Sequence, residues 1–280
     1  MNVEQILTNA QKALLYEVTT NPKPGLVDPV EHGAHPDMDI YTFIDSSEAM
    51  RSYLEQCCHL ATAHTGTMPE LFNALRVRGI VAERTMFAAT QGVNTHKGAI
   101  FSLGIFVAAS AYLTRTQTDF KLVAVQDVIR AMLVNLLQDD FANLTHKKQL
   151  TAGEQQYLKY GKTGIRGQAA AGYPAVTRGV EFLRQTQGTR QEKILDTLMY
   201  LAGQVEDSNL VKRAHNPAIQ QWMQARVATY FAHGGAQTPA GLNYLKELEQ
   251  LFSQRKYSLG GTADLLIVTI YCGLMEGILW

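Results

Sequence analysis

The chain has 280 residues, 46% hydrophobic and 18% charged, with 25 basic against 25 acidic side chains and a formal net charge of zero. That composition supplies a sizeable core and excludes a disordered chain. The absence of any long run of like charge argues against broad attraction to nucleic acid or to an anionic membrane, so neither is expected as a partner. At this length one large domain over 1–280 is expected.

The N-terminal stretch Met1 to Lys12 has no basic region followed by an unbroken apolar core, so no signal peptide is read there and a cytoplasmic protein is expected. Apolar residues then recur at helical spacing. Val3, Ile6, Leu7, Ala10, Leu14 and Val18 form one stripe, and Val125, Val128, Ile129, Met132, Leu133 and Leu136 form another. The longest uncharged stretch, Gly98 to Thr114, reads as a buried helix rather than a membrane span, with Gly98 and Gly104 letting neighbouring helices approach closely. Capping boxes are read at Thr151 with Glu154 and at Thr189 with Glu192, and helix starts at Asn216-Pro217 and Thr238-Pro239. Gly161 and Gly234-Gly235 read as helix stops. About ten helices result, allowing boundary errors of about two to four residues. The fold class is all-α: a single globular multi-helix domain around a buried, glycine-containing central helix. The cysteines Cys57, Cys58 and Cys272 show no paired spacing and read as reduced, partly buried thiols.

One stretch breaks the helical pattern. Asn21 to Tyr41 holds Pro22, Pro24, Gly25, Pro29, Gly33 and Pro36 among many titratable groups, and a structureless segment of that length inside a domain suggests function. Four segments share a design in which a glycine-bearing polar loop runs into a helix: 21–28 with 33–39, then 92–98, 161–167 and 260–264. Such turns present backbone N–H groups to anions. They place Lys23, His96, Lys97, Lys162 and Arg166 where cations could converge on a polyphosphate. The spacing at 161–167 is not that of a P-loop, and no zinc pattern is present.

Read together, Asn-Pro-Lys-Pro-Gly-Leu-Val-Asp at 21–28, Gly-Ala-His-x-Asp-Met-Asp at 33–39, Gly-Val-Asn-Thr-His-Lys-Gly at 92–98, Gly-x-x-Gly-x-Arg-Gly at 161–167 and Gly-Gly-Thr-Ala-Asp-Leu-Leu at 260–266 resemble the signature segments of the triphosphoribosyl-dephospho-coenzyme A synthases. The chain departs from that pattern at Gln168, where an acid is expected, in Glu206 to Arg213, and at Leu259. The resemblance implies a pentosyl transfer: the ribose 2′-hydroxyl of 3′-dephospho-coenzyme A attacks the anomeric carbon of the ATP ribose and adenine leaves. It also implies that the product passes to a transferase acting on an acyl carrier protein, of citrate lyase or of malonate decarboxylase.

Such a displacement needs a carboxylate to take the hydroxyl proton, a donor for the base, and cations with Mg²⁺ around the triphosphate. Asp37 is the favoured base, with His35 and Asp207 as further catalytic candidates. Asp28, Asp39 and Asp264 are the expected Mg²⁺ partners. Lys23, Asn94, His96, Lys97, Lys162, Arg166, Asn209 and Arg213 are the expected substrate contacts. His59, His64, His146, His215 and His233 are assigned core or surface roles, and Tyr173 either stacks on adenine or packs internally. Two other readings fit the residues: an all-α metal-dependent phosphohydrolase or ADP-ribose-type hydrolase, and a non-enzymatic helical scaffold. A homo-oligomer is compatible with either enzyme.

Overall fold

A computed structural model describes residues 1–142, 144, 147 and 150–279 of the chain. In chain order the α-helices are α1 (Val3–Thr19), α2 (Ile40–Ala49), α3 (Arg51–Ala63), α4 (Met68–Ala89), α5 (Lys97–Leu113), α6 (Leu122–Met132), α7 (Leu136–Phe141), α8 (Ala152–Tyr160), α9 (Gly164–Ala170), α10 (Pro174–Gln185), α11 (Arg190–Gln204), α12 (Ser208–Ala214), α13 (Ile219–Ala232), α14 (Pro239–Arg255) and α15 (Gly260–Met275). No strand occurs among the described residues, and the all-α class is as expected.

The excess over about ten helices has a local cause. α7, α9 and α12 are only six or seven residues long, too short to show a stripe. α2 and α3 meet at Met50, which keeps right-handed helical angles and leaves no sequence mark. The capping boxes at Thr151 and Thr189 form, as does the cap at Thr238 ahead of Pro239. Gly161 ends α8 with φ 67°, a left-handed angle that suits glycine. One start signal is displaced: α13 begins at Ile219, and the Asn216 side chain instead accepts the Ala218 N–H at 2.9 Å in the preceding turn.

Two helices occupy the centre. α5, the predicted buried segment, is apolar nearly all round and packs on α3, α4 and α15. α15 is buried just as fully, packs on α1, α5 and α10, and was not singled out by the sequence as central. A helix without a polar face must be covered on every side, which the surrounding helices do here. The glycines of α5 set how close its neighbours come. A Cβ at Gly104 would fall 2.1 Å from the Tyr53 hydroxyl of α3, and one at Gly98 would fall 1.8 Å from Asp264 Oδ2 of α15. Among the described residues, no helix is long and apolar enough to cross a membrane. The three cysteines are free and buried, and burial pushes the Cys58 thiol up to about 12.

Candidate active site

A cavity of about 240 Å³ opens at the N-terminal ends of α5 and α15, where five segments from distant parts of the chain meet. Its walls include Glu17 from α1, His35 and Met38 from the long loop, Asn94 to Gly98 at the start of α5, Asn209 and Arg213 from α12, and Ser258, Gly260 and Asp264 around the start of α15. Of the expected site residues, His35, Asn94, His96, Lys97, Asn209, Arg213 and Asp264 share this one cavity.

Asp264 reaches the cavity because α5 has no side chain at Gly98 to block it. Burial is the largest influence on its carboxyl, and the nearby Asp207 and Glu17 carboxylates add to it, so its pKa lies well above the usual carboxylate range. The protonated form of this carboxyl is thus favoured more than that of an exposed aspartate.

His96 precedes α5 and is 1% exposed. Burial, with Lys23 nearby, pushes its pKa down to about 3, so the ring is neutral. Its tautomer follows from its neighbours. Thr95 Oγ1 donates to Ser46 Oγ at 2.6 Å, and Ser46 Oγ lies 2.7 Å from His96 Nδ1. Among the described residues Nδ1 is the acceptor left for the one proton of Ser46, and its donation there leaves the imidazole proton on Nε2. That Nε2 is buried and has no partner among the described residues. The edge of the ring is fixed further by Phe43, at 5.0 Å between centroids and 82° between planes.

His35 is neutral for related reasons: burial lowers its pKa first, the Arg213 guanidinium lowers it further, and Asp37 opposes both. Its Nε2 lies 3.2 Å from Ser258 Oγ, and Arg213 Nη2 lies 3.3 Å from both ring nitrogens. Arg213 is held by the carbonyls of Lys256 at 2.9 Å and Ala34 at 3.4 Å. Lys97, half-exposed at the cavity mouth, pairs with Glu83 at 2.8 Å. Among the described residues, Lys97 and Arg213 are thus the lysine and arginine that face this space.

The remaining expected residues lie elsewhere. The predicted convergence of Lys23, Lys97, Lys162 and Arg166 does not occur, because the glycine turns lead into helices that start in different places and each cation has its own carboxylate. Lys23 is fully buried and donates to Glu17 Oε1 at 2.5 Å. Lys162 pairs with Glu206 beside a separate cavity. Arg166 donates to Asp140 at 2.5 Å beside a third.

The carboxylates divide in the same way. Asp28 ties its own loop, accepting the N–H groups of Val30 and Glu31 at 2.9 Å and of Lys23 at 3.1 Å. Asp39 caps α2 through the Thr42 N–H at 2.8 Å. Asp37 is exposed and lies outside the cavity lining. Asp207 is buried behind the Gly260-Gly261 turn, accepting from Asn209 and Leu210 at the start of α12 and from the Thr262 N–H and hydroxyl at the start of α15. Burial raises its pKa against the pull of those four donors. Asp28, Asp39 and Asp264 are not brought together, and no cluster of three or more metal-binding side chains occurs among the described residues.

Tyr173 packs internally, fully buried with its ring 5.1 Å from Phe106. His64 hydrogen-bonds the Thr67 carbonyl at 2.8 Å and His215 and His233 terminate helices, whereas His146 lies outside the described residues. Sequence reasoning missed Glu17, Ser46 and Ser258. Glu17 and Ser46 sit on helices with no motif around them, while Ser258 stands just before the Gly260-Gly261 turn and could have been read with it.

A cavity with cations at its mouth, and inside it neutral imidazoles and a carboxyl whose burial favours the protonated form, suits group transfer from a phosphorylated nucleoside. Comparisons with known proteins are specific about which transfer. Residues 3–280 match the family model described as CitG, ATP:dephospho-CoA triphosphoribosyl transferase. The chain is 48% identical over 283 residues to a probable 2-(5″-triphosphoribosyl)-3′-dephosphocoenzyme-A synthase of Lactiplantibacillus plantarum, covering 100% of both chains. It is 46% identical to the protein CitXG of Leuconostoc mesenteroides subsp. cremoris, across 99% of this chain and 60% of that one. It is 39% identical to a probable synthase of the same description from Streptococcus equi subsp. zooepidemicus, across 95% of each. No solved structure matches. The chain belongs to the ATP:dephospho-CoA triphosphoribosyl transferase family and is an enzyme of the transferase class. This membership excludes the scaffold and phosphohydrolase readings.

Proposed function

We propose that this cavity transfers the 5-triphosphoribosyl group of ATP to the ribose 2′-hydroxyl of 3′-dephospho-coenzyme A, releasing adenine and making the precursor of the citrate lyase acyl carrier protein's prosthetic group. The observation that carries the reading is the meeting of His35, His96, Lys97, Arg213 and Asp264, from four separated segments, around one space.

The bond between the anomeric carbon and adenine breaks as the bond from that carbon to the acceptor oxygen forms. Neutral His35 is placed to take the proton of the 2′-hydroxyl, and Asp264, whose burial favours its protonated form, to give one to the departing adenine, so no net proton is consumed. The His96 Nε2–H is a buried donor available to a substrate oxygen or ring nitrogen. Lys97 and Arg213 at the mouth are placed for the triphosphate, where charge-assisted hydrogen bonds are the strong ones. Mg²⁺ is proposed to arrive with ATP, held by triphosphate oxygens, since the three expected carboxylates do not form a protein cage for it. Transfer of the product to a transferase acting on an acyl carrier protein belongs to the same proposal.

The test is incubation of the protein with ATP, dephospho-coenzyme A and Mg²⁺. Adenine should appear together with a conjugate heavier by one triphosphoribosyl unit. Release of ADP or phosphate in place of adenine defeats the proposal.

A further inference from the structure

Helix α4 carries a glycine, Gly79, in its interior, where glycine destabilises a helix by roughly 0.5–1 kcal/mol relative to alanine. Packing does not require it. A Cβ at Gly79 would lie 3.8 Å from Ile100 Cγ2 and from the Tyr53 hydroxyl, an ordinary contact distance, unlike the clash at Gly104. What the missing side chain leaves open is a groove of about 470 Å³ between α3, α4 and α5, floored by Tyr53, Phe72, Leu75, Ile100, Phe101 and Ile105. The charged groups on its rim are satisfied by one another. Asp140 takes both Arg76, at 2.7 Å, and Arg166, at 2.5 Å, and Glu154 takes Lys147 at 2.6 Å. An apolar floor with its rim charges neutralised suits a long uncharged chain better than a phosphate.

The groove begins where the catalytic cavity ends. Lys97 lines the cavity, its ammonium bonds Glu83 at 2.8 Å, and Glu83 borders the groove. Ile100, three residues further along α5, is part of the groove floor. The cavity itself, at about 240 Å³, is smaller than the roughly 300–1,000 Å³ of a pocket for one drug-sized ligand. It cannot contain two nucleotides together with the arm that one of them carries.

We propose that the groove between α3, α4 and α5 receives the pantetheine arm of dephospho-coenzyme A, which enters it past the Lys97–Glu83 pair at the junction. The arm is uncharged, flexible and partly apolar, with amides that can stay near the open side of the groove. This rests on the reaction proposed above, because only the acceptor's ribose must enter the cavity.

The test is Gly79→Leu, which places a side chain in the groove while improving helix propensity. Calorimetry measures the binding of dephospho-coenzyme A and of ADP, which has the same ribose and pyrophosphate but no arm. Wild type should bind dephospho-coenzyme A the more tightly, and Gly79→Leu should weaken that ligand about tenfold or more while leaving ADP unchanged. Ile80→Trp, at a rim position 50% exposed, probes the same groove from outside the packed core should the first variant fail to fold. Unchanged affinity for dephospho-coenzyme A in a folded variant overturns the inference and leaves the reaction standing. Failure of the wild type to release adenine from ATP and dephospho-coenzyme A removes the reaction instead.

Discussion

Replacing Asp264 by Asn separates the chemistry of this site from its stability. The amide has nearly the shape of the protonated carboxyl and fits the same gap over Gly98, where a Cβ would lie 1.8 Å from Oδ2. What changes is the ability to release a proton to a leaving group. Loss of a general acid lowers the rate by roughly 10²–10⁴, or about 3–5 kcal/mol of transition-state stabilisation. Stability should move the other way. The folded-state pKa of Asp264 is raised, above all by burial, so its stabilising contribution is complete below the ordinary carboxylate range and is lost as pH rises toward the folded value. Asn carries no such loss. Adenine release, followed chromatographically, should fall in Asp264→Asn, while its melting temperature exceeds wild type at pH 8 by a wider margin than at pH 5. Turnover at the wild-type rate, or a melting difference that ignores pH, would refute the assignment of a protonated acid here.

Three further outcomes follow from the geometry. Because burial and then Arg213 hold the His35 pKa below its ordinary value of about 6.5, the acid limb of kcat/KM should lie below that pH, and Arg213→Gln should move it upward. A limb that stays in place separates His35 from catalysis. Ser46→Ala removes the donor to His96 Nδ1; ring ¹⁵N shifts of His96 should then report a mixture of tautomers in place of a single Nε2–H form. Glu249, pushed up to about 8 by burial and its contact with Asp28, should give Glu249→Gln a urea-melt advantage over wild type that grows from pH 5 to pH 8.5, because the raised carboxyl loses its contribution across that interval. An advantage equal at the two pH values would exclude the carboxyl pair as its source.

The fold was legible wherever a helix is amphipathic or uniformly apolar. The α1 stripe buries Ile6, Ala10, Leu14 and Val18, and the uncharged stretch from Gly98 forms α5, because burial of apolar surface dominates these elements. The glycines of α5 were legible as sites of close approach, although which side chains approach them is a tertiary fact. The short helices α7, α9 and α12 were not legible, since one or two turns carry too few residues to display a period.

The site was legible in part, and the division has a physical basis. A glycine-bearing turn ahead of a helix shows that backbone N–H groups are presented, but not the direction in which they point. The turns at 92–98 and 260–264 begin α5 and α15, which pack on each other in the core, so their N-terminal ends open onto one cavity. The turn at 161–167 begins α9 at another edge of the molecule, and its Lys162 and Arg166 are drawn to Glu206 and Asp140 there. The carboxylates sort by the same logic. In sequence Asp28, Asp39 and Asp207 look as reactive as Asp264, yet each of the three lies within reach of the backbone donors of its own turn or helix start, and those donors claim its oxygens. Asp264 lies inside α15, where the nearby N–H groups are engaged in the helix, and Gly98 gives its carboxyl a way into the cavity. The carboxyl proposed as the acid is thus the one that its own helix leaves without a backbone donor, so that it meets the Ala99 N–H of α5 instead, a property set by the register of two helices 166 residues apart at Gly98 and Asp264.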